Sequence, residues 1–429
     1  MTGSAHGWAS TVGGAGPSRD DGSGALMVTG GRGGFVVALE DLGRVVNLLV
    51  RCAETVSGAA FAVRRLELSS WSALLSAVDT AVLLGRIEWC RAGAVGTLRD
   101  LAGELDSLVR RTTLVVAGYR LAEQEAAALV ALARSATVAV TLGAQVAGNR
   151  VGLLLDGAAE AVEPVPVPVD SRVVVHDLAS VLTSQSLLSG IPVVRVIEVA
   201  QSDGSGAWIV QIPGTQEWSP RAGPLLHDLT SDVRVMSLQR SALGDAALAA
   251  LAHAQAGSGR PDVRAEPVML TGHSLGGMVA MAIAADDRLR AEVNLTHVVT
   301  AGSPVGHVPV PPEVQVLALE HTGDVVPLAD LTPNPDLPHW TTVRRDVPDA
   351  RMILPGSGPL EHSALTYRET ARLAARAAAN GAHPSLVHWV ASASPFLVGE
   401  SAGAGRTREG PRPQRVRDYR VGRRPEGAG

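Results

Sequence analysis

The chain predicts an α/β protein with a mostly parallel central sheet, preceded by an α-helical domain. Three observations carry this reading. Residues 35–160 are rich in Ala, Leu and Val with interspersed Arg and Glu, and show no convincing strand alternation. Past the alternating prolines of Glu163-Pro164-Val165-Pro166-Val167-Pro168, the pattern changes to short apolar strands separated by helices. Within that second part, Val268–Ala280 reads as a buried strand, a Gly-x-Ser-x-Gly turn and the start of an apolar helix.

In chain order, residues 1–34 read as a flexible leader. They lack the basic start and apolar run of a secretory signal peptide. Residues 35–160 are expected to form several amphipathic helices; Leu98, Leu101, Leu105 and Leu108 keep helical spacing. Ala126–Gly148 carries one charge, Arg134, and a membrane span is an alternative there. Its Ser, Thr and Gln residues favour a buried helix over a transmembrane segment. Cys52 and Cys90 could pair across a helical hairpin, but two buried free thiols are the preferred reading.

Residues 161–189 read as a Pro-rich linker. The α/β domain is placed at 190–395. Val193–Val199 and Ala207–Ile212 are consecutive strands joined by a Ser-Asp-Gly-Ser-Gly turn, Ser241–Ala256 is a helix, and Thr296–Ala301 and Val314–Leu319 are further strands. Residues 396–429, with eight Arg from Ser401 onward, are expected to be a disordered tail.

Composition narrows the function. All 37 basic residues are arginine, and the net charge of −5 points away from a nucleic-acid partner. No Cys/His cluster has metal-ligand spacing, so no metal and no cofactor are expected.

The turn at Ser274 places a hydroxyl at a helix N-terminus, where free N–H groups and the helix dipole favour an oxyanion. A serine becomes a nucleophile when a histidine takes its proton and an acid orients that histidine. In the order Ser, acid, His, the acid follows a strand downstream of Ser274. Asp324, in the turn after Val314–Leu319, is the best candidate, ahead of Asp330 and Asp336. Among His339, His362, His383 and His388, His362 is preferred because it lies in a loop just before a helix. The oxyanion donors are expected from the N–H of Leu275 and from Thr215, at the end of the strand Trp208–Ile212. Ser219–Ser231, with Pro224, Leu225, Leu226 and Leu229, lies where a lid would cover such a site.

Several segments resemble one family, the class 3 lipases of the α/β-hydrolase fold. VQIPGTQEW is similar to their oxyanion loop, TGHSLGGMVA to their elbow, and VVTAGSPVGH to the strand and turn that follow. HTGDVVPL resembles their acid turn and EHSALTY their histidine segment, in the same order over roughly residues 190–380. The resemblance implies an esterase- or lipase-like hydrolase acting on an ester or lipid small molecule through an acyl-enzyme. An acyltransferase or thioesterase is an alternative from the same chemistry.

In the helical part, Tyr119-x-x-x-Glu123 resembles the export signal of actinobacterial type VII secretion (WXG-like) substrates. That implies secretion machinery or a helical partner, with either a cytoplasmic or a type VII-like exported location. It also leaves a third alternative, a secretion-associated interaction module whose hydrolase domain is scaffold.

Overall fold

The computed structural model describes residues 26–32, 35–65, 77–150, 153–156, 163–165, 174–219, 221–347, 360–397 and 412–423. It is mixed α/β. The strands are β1 (Leu26–Gly30), β2 (Glu163–Val165), β3 (Val193–Ala200), β4 (Gly206–Ile212), β5 (Pro267–His273), β6 (Asn294–Ala301), β7 (Gln315–His321), β8 (Trp340–Arg345) and β9 (Gln414–Arg420). They form one sheet in the order β1-β8-β7-β6-β5-β4-β3-β9-β2. Strands β4 to β8 run parallel, and antiparallel pairings extend the sheet on both flanks.

Alternation along the strands sends side chains to two cores. Trp208, Val210, Ile212, Val268 and Leu270 face α5 (Ala242–Ala256) and α6 (Leu275–Ala285). Ala207, Ile209, Met269, Val299 and Leu317 face α3 (Leu178–Ser186), α8 (Ala364–Ala379) and α9 (Pro384–Ser392). A sheet covered on both faces must be apolar on both, which is why these strands read as nearly continuous apolar runs.

The expected hairpin at 193–212 forms, as do the helix after Ser241 and the strands that end at Ala301 and His321. Ser241 and Ser363 cap α5 and α8 through their hydroxyls.

Several expectations need correction. Among the described residues, the N-terminal part holds two helices rather than several: α1 (Phe35–Arg64) and α2 (Ala77–Arg150). The latter runs 74 residues, about 110 Å at the helical rise. No proline occurs between Pro17 and Pro164 to stop it. The hairpin has only its facing stripes to bury, so Cys52 and Cys90 are exposed free thiols, not buried ones. Among the described residues, Arg44–Arg64 of α1 is the one stretch long and apolar enough to cross a membrane. Ala126–Gly148 continues α2; the side chains of 126–134 lie outside the described residues, and 135–148 are mostly exposed rather than buried. Tyr119 and Glu123 lie on α2, but their side chains fall outside the described residues.

The linker is also shorter than expected. Asp177 and Ser180 cap α3 reciprocally, and Leu178, Val181 and Leu182 of that helix enter the core. The leader supplies β1, paired with β8 over five residues. Its residues 1–25 lie outside the described part.

The tail departs furthest from expectation. Val416, Asp418 and Arg420 belong to β9, an interior strand between β3 and β2. What holds it is a buried ion pair: Arg195 Nε and Nη2 donate to Asp418 Oδ1 and Oδ2 at 2.6 and 2.8 Å. Arg-rich composition argued for solvation, but the tail's one acid in β9 meets Arg195 of β3, and Arg417 reaches Glu198 of the same strand at 3.3 Å. Asp418→Ala would leave Arg195 charged and buried, and is expected to destabilise the fold by about 3–5 kcal/mol, read by urea denaturation.

Candidate active site

The parallel register brings the chemistry to one edge of the sheet. Ile212 at the end of β4 lies opposite Gly272, His273 opposite Ala301, and Ala301 opposite Leu319. The loops that leave β4, β5 and β7 carry Thr215, Ser274 and Asp324. Ligands on such sheets bind at this carboxyl edge.

Ser274 adopts φ 53° and ψ −123°, strained for a residue with a Cβ. Its N–H donates to the Ala301 carbonyl at 3.0 Å, and its own carbonyl accepts from Ser303 Oγ at 2.8 Å. The turn is possible only because Gly272 and Gly276 lack side chains. A Cβ on Gly276 would come within 1.9 Å of the Ile212 carbonyl oxygen, and one on Gly272 within 2.1 Å of Gly276 C.

His362 Nδ1 donates to Asp324 Oδ2 at 2.7 Å, which leaves Nε2 as the free basic nitrogen. Tyr367 Oη donates to the same oxygen at 2.8 Å, and the Val326 N–H to Oδ1 at 3.0 Å. Burial alone would raise the Asp324 carboxyl. The hydrogen bonds from His362, Val326 and Tyr367 outweigh it and hold the group below the usual carboxylate value.

Two further histidines brace this pair. His273, beside Ser274, donates from Nε2 to the His362 carbonyl at 2.7 Å, with the two rings 4.8 Å apart. His321 stacks on Tyr367 at 3.8 Å and donates from Nδ1 to the Glu361 carbonyl at 2.6 Å. Burial pushes His273 down to about 3 and His321 to about 4, so both stay neutral at ordinary pH. The structure thus gathers Ser274, His362 and Asp324 at one edge, and His273, next to Ser274 in the chain, bonds the His362 carbonyl. The Ser274 hydroxyl itself makes no hydrogen bond to the imidazole among the described residues.

The other candidates lie elsewhere. Asp330 accepts from the N–H and Nδ1 of His307 at 3.1 and 3.0 Å, in a fully buried pair. Asp336 is exposed. His339 bonds the Val310 carbonyl, while His383 and His388 belong to α9 and its start.

The N–H groups of Thr215 and Leu275 have no partner among the described residues. Gly214 packs against Ser274, so both donors flank it. The Thr215 hydroxyl, expected as a second donor, is engaged: it donates to Asp232 Oδ2 at 2.9 Å. Asp232 lies on α4 (Leu229–Met236). The expected lid folds down onto this loop. Leu226, His227 and Asp228 are buried, and the His227 carbonyl accepts from Gln216 and Glu217 N–H, so that half of the segment is framework.

Tyr367, His321 and Asp232 escaped the sequence reading. Tyr367 and His321 stood inside the quoted EHSALTY and HTGDVVPL segments, but nothing in local spacing connected them to Asp324. Against protein-family models, curated proteins and solved structures, the chain matches none. Geometry alone therefore carries the functional reading.

Burial chiefly pushes Asp232 up to about 7, with the Asp228 charge adding and the Thr215 hydrogen bond opposing. Between the ordinary carboxylate value and that point, the folded chain keeps a proton that the unfolded chain releases. Stability from this group is full below about pH 4 and is lost as pH rises toward 7. Asp232→Asn should therefore gain in melting temperature relative to wild type between pH 4.5 and pH 8. An unchanged difference across that range would remove Asp232 from the pH response.

Proposed function

We infer that the chain is a serine hydrolase of carboxylic esters, built on an α/β-hydrolase fold. The observation that carries this reading is the Asp324–His362 hydrogen bond beside a serine in a strained strand-to-helix turn. In the reaction, His362 Nε2 takes the proton of Ser274 as its Oγ attacks the ester carbonyl. Asp324 keeps the Nδ1 proton in place and stabilises the imidazolium. Charge developing on the carbonyl oxygen is received by the Leu275 and Thr215 N–H groups, at the N-terminus of α6. Collapse of the tetrahedral species breaks the ester C–O bond, and His362 returns the proton to the leaving alcohol. Water, deprotonated by the same imidazole, then attacks the acyl-enzyme, and the acid and free Ser274 result.

The neutral state of His273 and His321 matters here. Cations at those positions would oppose formation of the His362 imidazolium, and burial prevents them. Trp218, Val325, Leu328 and Leu331 on loops, and Leu365 in the first turn of α8, stay exposed. These side chains favour an ester with an apolar acyl group over a highly polar one.

A fluorophosphonate probe tests the reading directly, because it reacts with an activated serine. Wild type should label, while Ser274→Ala should not label and His362→Ala should label at least about 10³-fold more slowly. Equal labelling of all three, or none in a folded wild type, would sink the hydrolase assignment. Asp324→Asn should slow ester turnover by about 10⁴-fold with little change in KM, since it alters the imidazole tautomer rather than binding.

A further inference from the structure

Arg423, just beyond β9, contacts none of the groups assigned to the reaction, yet its bonds converge on the support of the oxyanion loop. Its guanidinium donates from Nη1 to the Gly223 and Leu225 carbonyls at 3.0 and 2.5 Å. It grips Asp228 with two bonds, Nη1 to Oδ2 at 2.7 Å and Nη2 to Oδ1 at 3.0 Å. Nε and Nη2 also reach Asp156 Oδ1 at 3.2 and 3.0 Å, and its backbone N–H donates to the Pro224 carbonyl at 2.8 Å. One residue thus ties down the turn from Gly223 to Asp228, its side chain at Gly223, Leu225 and Asp228 and its backbone at Pro224.

That turn is what the oxyanion loop hangs from. Asp228 caps α4 by accepting from Ser231 N–H at 3.0 Å, and its carbonyl accepts from Asp232 N–H at 3.1 Å. Asp232 in turn holds the Thr215 hydroxyl. The His227 carbonyl takes Gln216 N–H at 2.8 Å, and Leu229 N–H returns to the Glu217 carbonyl at 3.0 Å. Residues 215–217 are therefore fixed from both sides by residues 227–232, which Arg423 pins from below.

We propose that Arg423 is a positioning residue for the oxyanion loop, setting the Thr215 N–H through Asp228, α4 and Asp232. It rests on the ester-hydrolase reading of the site. A guanidinium suits the task because it bonds one carboxylate with two parallel N–H groups while still reaching carbonyls and a second acid. A lysine keeps the charge but not the fork. Misplacing a donor by a fraction of an ångström is enough to be felt, since a misplacement of 1 Å can cost about 100-fold in rate.

The test compares Arg423→Gln and Arg423→Lys with wild type, each alone and combined with Thr215→Gly, which frees the loop from Asp232. Three readings are taken on the full chain: the fluorophosphonate labelling rate, kcat and KM on a short-chain ester, and hydrogen exchange. Arg423→Gln should slow labelling and kcat by about 10-fold with KM changed less than about 2-fold, and Arg423→Lys should recover part of the loss. Exchange should rise at residues 214–236 and stay unchanged in β5, β6 and α8. In the Thr215→Gly background, Arg423→Gln should cost clearly less than in wild type, because the Asp232 link is already cut and only the backbone bonds of Gln216 and Glu217 remain to transmit it.

Additive losses in the double variant would overturn the proposal, as would exchange rising uniformly through the sheet or rates equal to wild type. Exchange is read without any reaction, so it stands apart from the hydrolase assignment. A wild type that fails to label while exchange changes as expected would defeat that assignment and leave the Arg423 linkage to the loop in place.

Discussion

The closeness with which the end of β4 meets the first turn of α6 governs the rest of the molecule. Gly272 and Gly276 let Ile212 and the elbow touch backbone to backbone. This one approach decides three things together. It forces Ser274 into positive φ, it starts the loop of Thr215 beside the serine, and it aims the N-terminus of α6 between them. The parallel register then carries the acid turn to the same edge, because β6 and β7 end level with β5. No flexible side chain has to reach far; the backbone has already done most of the positioning.

Around that centre, polar groups are satisfied in layers. Asp324 is buried, but three donors meet its oxygens, so its carboxyl is held below the usual value where burial alone would raise it. His273 and His321 do the opposite work: they fill space and donate hydrogen bonds to carbonyls near the site while remaining uncharged. Asp330 and His307, chemically similar to the Asp324–His362 pair, are closed in on all sides. The two pairs differ in exposure. His362 is partly open at the sheet edge, whereas His307 is fully enclosed.

The parts that were legible from sequence are those with local signatures. The elbow, the hairpin at 193–212, the capped helices and the order of Ser274, Asp324 and His362 all rest on short-range periodicity or turn chemistry. Contacts across long separations were not legible. Asp232 meets Thr215 from α4, Tyr367 meets Asp324 from α8, and Arg195 meets Asp418 from 223 residues away. An Arg-rich stretch looks solvated until its partners across the sheet are known, and for β9 these are Arg195 for Asp418 and Glu198 for Arg417. Cys52 and Cys90 differ for another reason: apolar composition does not imply burial where, among the described residues, the outer faces of two paired helices are left uncovered.

The two flanks of the sheet have a kinetic consequence. The parallel centre assembles from neighbours in the chain, β4 through β8, between residues 206 and 345. The borders are closed by strands drawn from far away, β1 onto β8 and β9 onto β3. Such distant pairings carry a large loop-closure entropy and form late. A chain that has already built its centre will therefore pass through a stage with β3 and β8 as bare edges, able to pair with any other unfolded strand. During that interval its worst competitor is another copy of itself, so yield on refolding should depend steeply on concentration even though the finished sheet hides both edges.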